Sequence, residues 1–154
     1  MGKFGFRLES VLKLRTQLED NAKNNLAHAA RKLDHEVSHL ERLKDQREES
    51  MSNLNAEVDK GGIEVYKIKN YNSFFASMKN KIAYQKENVN NAQNVVDINR
   101  EALVKAMQER KILGKLREKR HEEFLKEQGK SEQLLIDELN SFKFKDGSGE
   151  QNGR

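Results

Sequence analysis

The sequence predicts an all-α protein, an elongated antiparallel two-helix coiled coil whose second helix is longer than its first. Three observations predict it. The chain is 35% charged, 35% hydrophobic and only 6% aromatic, and has no proline, cysteine or tryptophan. That is too little apolar material for an ordinary globular core, and it suits long helices carrying one narrow apolar stripe. Apolar residues then recur at heptad spacing in both halves, which a disordered chain would not maintain. Finally, the only adjacent glycines, Gly61 and Gly62 in "EVDKGGIEVY", separate the two periodic stretches.

The first helix is expected from about Phe6 to Asp59. Leu26, Leu33, Leu40 and Leu54 recur by sevens, interleaved with Ala30, Val37, Met51 and Val58. Leu8, Val11, Leu18 and Ala22 extend the seam toward the start, and Lys44 and Arg47 interrupt it. Lys60, Gly61 and Gly62 form the expected turn, because glycine costs roughly 1 kcal/mol relative to alanine inside a helix and marks a change of direction.

The second helix is expected from about Ile63 to Phe142, and its periodicity is the clearer of the two. Alternate steps of four and three from Tyr71 visit Phe75, Met78, Ile82, Gln85, Val89, Ala92, Val96, Asn99, Leu103, Ala106, Arg110, Leu113, Arg117, Arg120 and Phe124. Arginines at the later positions suggest that helix pairing fails after Ala106, since a sealed charge is costly. Beyond Phe124 the phase loosens, Gly129 intervenes and "LLIDELNSF" resumes an apolar face. Residues 1–145 read as a single hairpin domain, and Asp146 to Arg154 as a disordered tail.

Folding about the glycines pairs residues whose numbers add to about 123, the geometry of a helical hairpin. Asn99 then lies opposite Asn24 and Asn25, a polar seam contact of the kind that fixes register. Ala22, Ala29 and Ala30 lie across from Ala92, Ala102 and Ala106, which lets the backbones approach closely. Each apolar stripe needs the other helix to cover it.

No catalytic or cofactor chemistry is expected. "GKS" at Gly129 to Ser131 has Phe124 where a phosphate-binding loop needs glycine. His28, His35 and His39 share a helical face but have no acidic or cysteine ligand placed with them. Glu48 and Glu49, like Glu122 and Glu123, are consecutive and diverge around a helix. Without cysteine there are no disulfides and no thiolate metal sites. The absence of a long apolar run, and of a secretory or myristoylation signal in "MGKFGF", leads to the expectation of a cytoplasmic protein.

The net charge of +4 and pI near 9.2 concentrate in "KAMQERKILGKLREKR", Lys105 to Arg120. Lys3, Arg7, Lys13 and Arg15 fold alongside. With few aromatics there to stack bases, no nucleic acid is expected as partner, and an acidic protein surface fits the basic segment better. Leu14, Leu43 and Phe74 fall off the predicted seams. Leu43 with Phe74 and Met78 would form an exposed apolar patch near the turn.

"FRLESVLKLR" at Phe6 to Arg15, "NYNSFF" at Asn70 to Phe75 after a glycine turn, and "REALVKAMQERKILGKLREKR" at Arg100 to Arg120 resemble the flagellar export protein family FliJ, over nearly the whole chain. The resemblance implies a non-catalytic, cytoplasmic component of the flagellar type III export apparatus, similar to the stalk of rotary ATPases. Its implied partners are the export ATPase hexamer, the cytoplasmic domain of the export gate membrane protein, and export chaperones. It also implies a gate-binding surface near the turn, onto which Leu43, Phe74 and Met78 map by position. Gln46 and Ser50 stand where some relatives carry tyrosines. Arg7, Leu14, Arg110, Arg117 and Arg120 are the expected ATPase-binding residues. The alternatives that the residues leave open are a structural or tethering coiled coil unrelated to export and a basic nucleic-acid binder.

Overall fold

A computed structural model describes residues 2–149. It consists of two helices, α1 (Glu9–Asp59, 51 residues) and α2 (Val65–Gly149, 85 residues). The described residues contain no strand, in agreement with the predicted all-α class. The chain divides into two compact units, one of Leu18–Met107 and one of Met1–Gln17 with Gln108–Arg154.

In the unit of Leu18–Met107, α1 and α2 pack antiparallel around the turn. Ala29, Leu43, Met78, Ile82, Ala92 and Val96 are its buried apolar residues, and Leu40 packs against Leu43, Met78 and Ile82. The buried positions on α2 are those that the four-three steps from Tyr71 visit. On α1 the leucines of the sevenfold repeat are all part-buried, but their interleaved partners lie one residue earlier than the apolar pattern suggests. Ala29, Glu36, Leu43, Ser50 and Glu57 turn inward, whereas Met51 and Val58 are exposed. Leu43 is therefore a seam residue, 8% exposed, and Met78 is 2% exposed. The exposed patch expected from Leu43 and Met78 does not form, because both side chains are spent on the core between the helices.

Polar groups are built into this seam. Gln85, 3% exposed, donates through Nε2 to the Glu36 carboxylate at 2.5 Å and to the Glu36 carbonyl at 2.9 Å. Its own oxygen accepts from Asn88 Nδ2 at 3.1 Å. Asn99, expected to face Asn24 and Asn25, instead donates to the Val95 carbonyl of its own helix at 2.8 Å, and both of those asparagines are exposed. The polar register contact is Gln85 with Glu36.

The turn follows from its glycines. The Lys60 amide donates to the Ala56 carbonyl and the Gly61 amide to the Val58 carbonyl, each at 3.3 Å. Gly61 and Gly62 then take φ of +112° and +118°, which side chains with a Cβ rarely adopt. The Glu64 carbonyl accepts from the amides of Lys67 and Ile68 at 3.0 and 3.2 Å. Glu64 thus serves as the N-cap, and α2 begins at Val65, two residues later than expected.

In the unit of residues 2–17 and 108–149, α1 begins at Glu9 rather than Phe6. Residues 2–6 form no helix, consistent with Gly2 and Gly5 there, and the Glu9 amide closes a turn on the Phe6 carbonyl at 3.1 Å. Pairing does not stop after Ala106, as the arginines suggested. Arg15 bonds Glu109 at 2.7 Å, Arg117 bonds Glu9 at 2.9 Å, and Phe4 reaches His121 and Phe124. The charges are matched pairwise and remain partly solvated, so the cost assumed for a sealed arginine does not arise. From Ser131 to Gly147 every residue is exposed. The helix nonetheless runs through Asp146 to Gly149, beyond the Phe142 expected as its end and into the segment expected to be a disordered tail. No proline is present to stop it, and isolated glycines in a helix cost only about 1 kcal/mol each. Residues 150–154 of that segment lie outside the described residues.

Candidate functional site

The unit of residues 2–17 and 108–149 carries a cationic and aromatic surface. Gly2 to Phe6 cross the flank of α2 without forming helix. The Phe4 ring meets His121 edge-on at 4.8 Å, lies 5.6 Å from the Phe124 ring, and has the Arg117 guanidinium 5.6 Å from its centroid. A cation over an aromatic face is attracted by the ring quadrupole. Arg117 is therefore held from two sides, by Glu9 and by Phe4. Alongside lies an open crevice of about 600 Å³, lined by the cations Lys3, Arg7 and Arg120, by the apolar Phe4, Leu116 and Phe124, and by the carboxylates Glu123 and Glu127.

The five residues expected on this unit separate into two kinds. Arg7 and Leu14 are exposed, Leu14 at 54%. Arg120 is also outward, its side chain 62% exposed and bonded only loosely to Glu123 of its own helix at 3.3 Å. Arg110 and Arg117 are half-buried, and Arg117 is committed to Glu9. An ion pair this exposed adds about 0.2–1 kcal/mol, enough to orient Arg117 more than to stabilise the unit.

The unit of Leu18–Met107 presents a second surface near the turn. Of Leu43, Phe74 and Met78, only Phe74 reaches solvent, 36% exposed. It stands edge-on to Phe75 at 5.6 Å, and Phe75 stacks on Tyr71 at 6.2 Å. Beside these rings is a crevice of about 380 Å³ lined by Ser50 and Glu57 of α1 and by Lys67, Asn70, Tyr71 and Phe74 of α2. One carboxylate oxygen of Glu57 is covered from solvent and accepts no hydrogen bond.

Sequence reasoning missed Phe4 and Glu57 as members of these surfaces. Phe4 precedes the first periodic residue, so no repeat flags it. Glu57 is preceded by Leu54 three residues earlier, and that spacing from a seam leucine was the available signal. Among the described residues, no group of three or more His, Asp or Glu side chains could hold a metal ion. No helix there is long and apolar enough to cross a membrane.

Two antiparallel helices, each covering the other's narrow apolar stripe and leaving charged and aromatic surfaces open, define a coiled-coil hairpin. The chain belongs to the flagellar FliJ family, whose model, described as flagellar FliJ protein, matches residues 4–149. It is thereby an export-associated component of the type III secretion class. Among solved structures it is similar to CT670 of Chlamydia trachomatis, described as a YscO homologue. The two share 22% identity with a TM-score of 0.66, over 96% of this chain and 99% of the other, a likeness that bears on the fold. No curated protein matches the chain in sequence.

Proposed function

We propose that the chain is a non-catalytic, stalk-like component of the flagellar export apparatus at the cytoplasmic face of the basal body. In this reading it binds the export ATPase hexamer, promotes its assembly and activity, and links it to the export gate and to export chaperones. Family membership supports the setting. The observation that carries the ATPase contact is the open crevice with Arg7, Arg120 and Lys3 on its walls, cations that face solvent beside apolar rings. Such a surface suits an acidic partner, because outward charges steer encounter and set orientation. The gate contact is assigned to the turn-proximal surface, where Phe74 supplies exposed apolar area and Leu43 and Met78 keep the helices packed.

The test is hydrolysis by the cognate export ATPase titrated with the full chain, beside binding to the gate's cytoplasmic domain. Arg7→Glu with Arg120→Glu reverses two outward charges without touching the Arg117 to Glu9 pair. This variant should need on the order of tenfold more protein for the same stimulation, with gate binding unchanged. Phe74→Ala should weaken gate binding and spare hydrolysis. Full stimulation by the double arginine variant, or loss of stimulation in Phe74→Ala, would mean that the two surfaces are assigned to the wrong partners.

A further inference from the structure

The crevice beside Phe74 has a chemical character more specific than an apolar contact. Glu57 sits at a seam position of α1, where the helix pairing draws its carboxylate partly out of water. One oxygen is covered and receives no donor. A carboxylate accepts up to four hydrogen bonds, and leaving one buried without a donor is unfavourable. Lys67 lines the same crevice but forms no ion pair with Glu57, and its side chain is exposed. Tyr71 and Phe74 provide aromatic walls, and Asn70 and Ser50 provide neutral polar groups at the margins. The torsion that turns a glutamate carboxylate is soft and two-fold, so either oxygen can be brought to a donor in the crevice.

From this arrangement we propose that the crevice is a receptor for a single basic side chain, arginine above all, on an extended segment of a protein partner. The carboxylate would bond the guanidinium while the rings of Tyr71 and Phe74 flank its planar faces. A volume of about 380 Å³ has room for one such side chain together with part of the segment that carries it. Arginine fits better than lysine because its planar fork can bond a carboxylate and stack on a ring at the same time. Lys67 acts as the internal competitor: its ammonium can swing onto Glu57 when the crevice is empty and must leave when the guest arrives. The proposal rests on the gate reading only for the identity of the partner; the chemistry of the crevice stands apart from it.

The two are separated by two measurements on the full chain. In the first, N-acetyl-arginine methylamide and its citrulline counterpart, which has the same shape without the charge, are titrated into isotope-labelled protein. Amide shifts of Glu57, Lys67, Asn70, Tyr71 and Phe74 are followed. The arginine compound should produce saturable shifts confined to these residues, and the citrulline compound none. Glu57→Gln, which preserves shape, should weaken the arginine compound about tenfold, and Lys67→Ala should strengthen it several-fold. Equal response to both compounds, or no response in either wild type or Lys67→Ala, overturns the proposal. In the second, the gate's cytoplasmic segment is bound to wild type and to Glu57→Gln. Gate binding that ignores the Glu57→Gln change excludes the crevice as a gate contact. No gate binding, with arginine recognition intact, removes the gate reading and leaves the receptor in place.

Discussion

Gln85 occupies a position where a coiled coil would ordinarily place an apolar side chain, yet it is among the most buried residues in the described chain. Its amide nitrogen reaches both the carboxylate and the carbonyl of Glu36, and Asn88 satisfies its oxygen. No residue but one with both donor and acceptor serves this place, so shifting the helices by one turn would leave Glu36 facing an apolar neighbour. Gln85→Ala should therefore destabilise the protein by about 1–3 kcal/mol, read as a lower urea midpoint. Replacing Gln85 and Glu36 together by leucine should recover most of that loss, since two apolar groups replace two polar ones. Disulfide trapping between cysteines introduced at positions 29 and 92 should then become less selective for this register. If the single variant matches wild type in urea, the hydrogen bonds to Glu36 are not holding the seam.

At the scale of the element, α2 could be read from the sequence and half of α1 could not. Tyr71, Phe75, Met78, Ile82, Val89, Ala92 and Val96 are apolar at nearly every inward position, so periodicity alone locates the face. On α1 Glu19 takes the leucine register seven residues before Leu26, and the inward positions between the leucines hold Glu36, Ser50 and Glu57, while apolar Leu18, Val37, Met51 and Val58 stand next to them. A reading by hydrophobicity consequently moves one residue toward the apolar neighbour and expels Leu43 from the core where it belongs. The surfaces were legible in part for the same reason. Phe74 follows from a correct α2 seam, whereas Arg120 stands at an expected seam position and yet points outward, Glu57 depends on the α1 seam and Phe4 on a segment with no repeat. The glycine turn was legible because its cause is local. Gly61→Ala with Gly62→Ala forces two side chains into φ of +112° and +118°, at about 1–3 kcal/mol each. That strain should favour a continuous helix and pairing between chains, seen as a mass that rises with concentration in light scattering. A monomer of unchanged mass at all concentrations would show that the reversal does not depend on these residues.

α2 also shows what supports a helix and what does not. Between Tyr71 and Phe124 it has a partner, whereas from Ser131 to Gly147 every residue is exposed, including Leu134, Leu135, Ile136, Leu139 and Phe142. Helical hydrogen bonds without packing are marginal in water. Amide exchange in the isolated protein should therefore be faster over 131–147 than over 75–96 by at least about a hundredfold, and protection of 131–147 should appear when a partner binds. Equal protection in the two stretches without any partner would mean that this face is already covered.

Considered as a whole molecule, the chain carries a small net charge, +4, that is unevenly distributed. Much of the excess lies in Lys105 to Arg120 and in Lys3 to Arg15, and part of it is neutralised internally by Glu9 and Glu109. The cations of these stretches that remain exposed include Lys3, Arg7, Lys13, Lys105, Lys111, Lys115, Lys119 and Arg120, of which Lys3, Arg7 and Arg120 line the crevice beside Phe4. Association with the export ATPase should accordingly weaken as salt rises from 0.05 to 0.5 M, because charges beyond a Debye length of about 10 Å at 0.1 M are screened. The arginine double variant should show a flatter salt dependence. Binding to the turn-proximal surface should respond less to salt, since Tyr71 and Phe74 contribute through apolar contact. Identical salt responses for the two partners would argue against a division of labour between the surfaces.

The reversal at Gly61 and Gly62 also sets an order of assembly in time. In an antiparallel pair the sequence separation of two partners grows with distance from the turn: 49 positions from Glu36 to Gln85, and 108 from Glu9 to Arg117. Each doubling of that separation adds about 0.6 kcal/mol to the entropy of closing the loop. The contacts of Leu43, Met78 and Ile82 should close early, and those of Glu9 and Phe4 last. During synthesis Phe4 and Glu9 thus leave the ribosome long before their partners on α2 and are among the last to be paired. Phe4 stays uncovered until Arg117, His121 and Phe124 have emerged, which makes the segment before α1 available to a folding helper while translation proceeds.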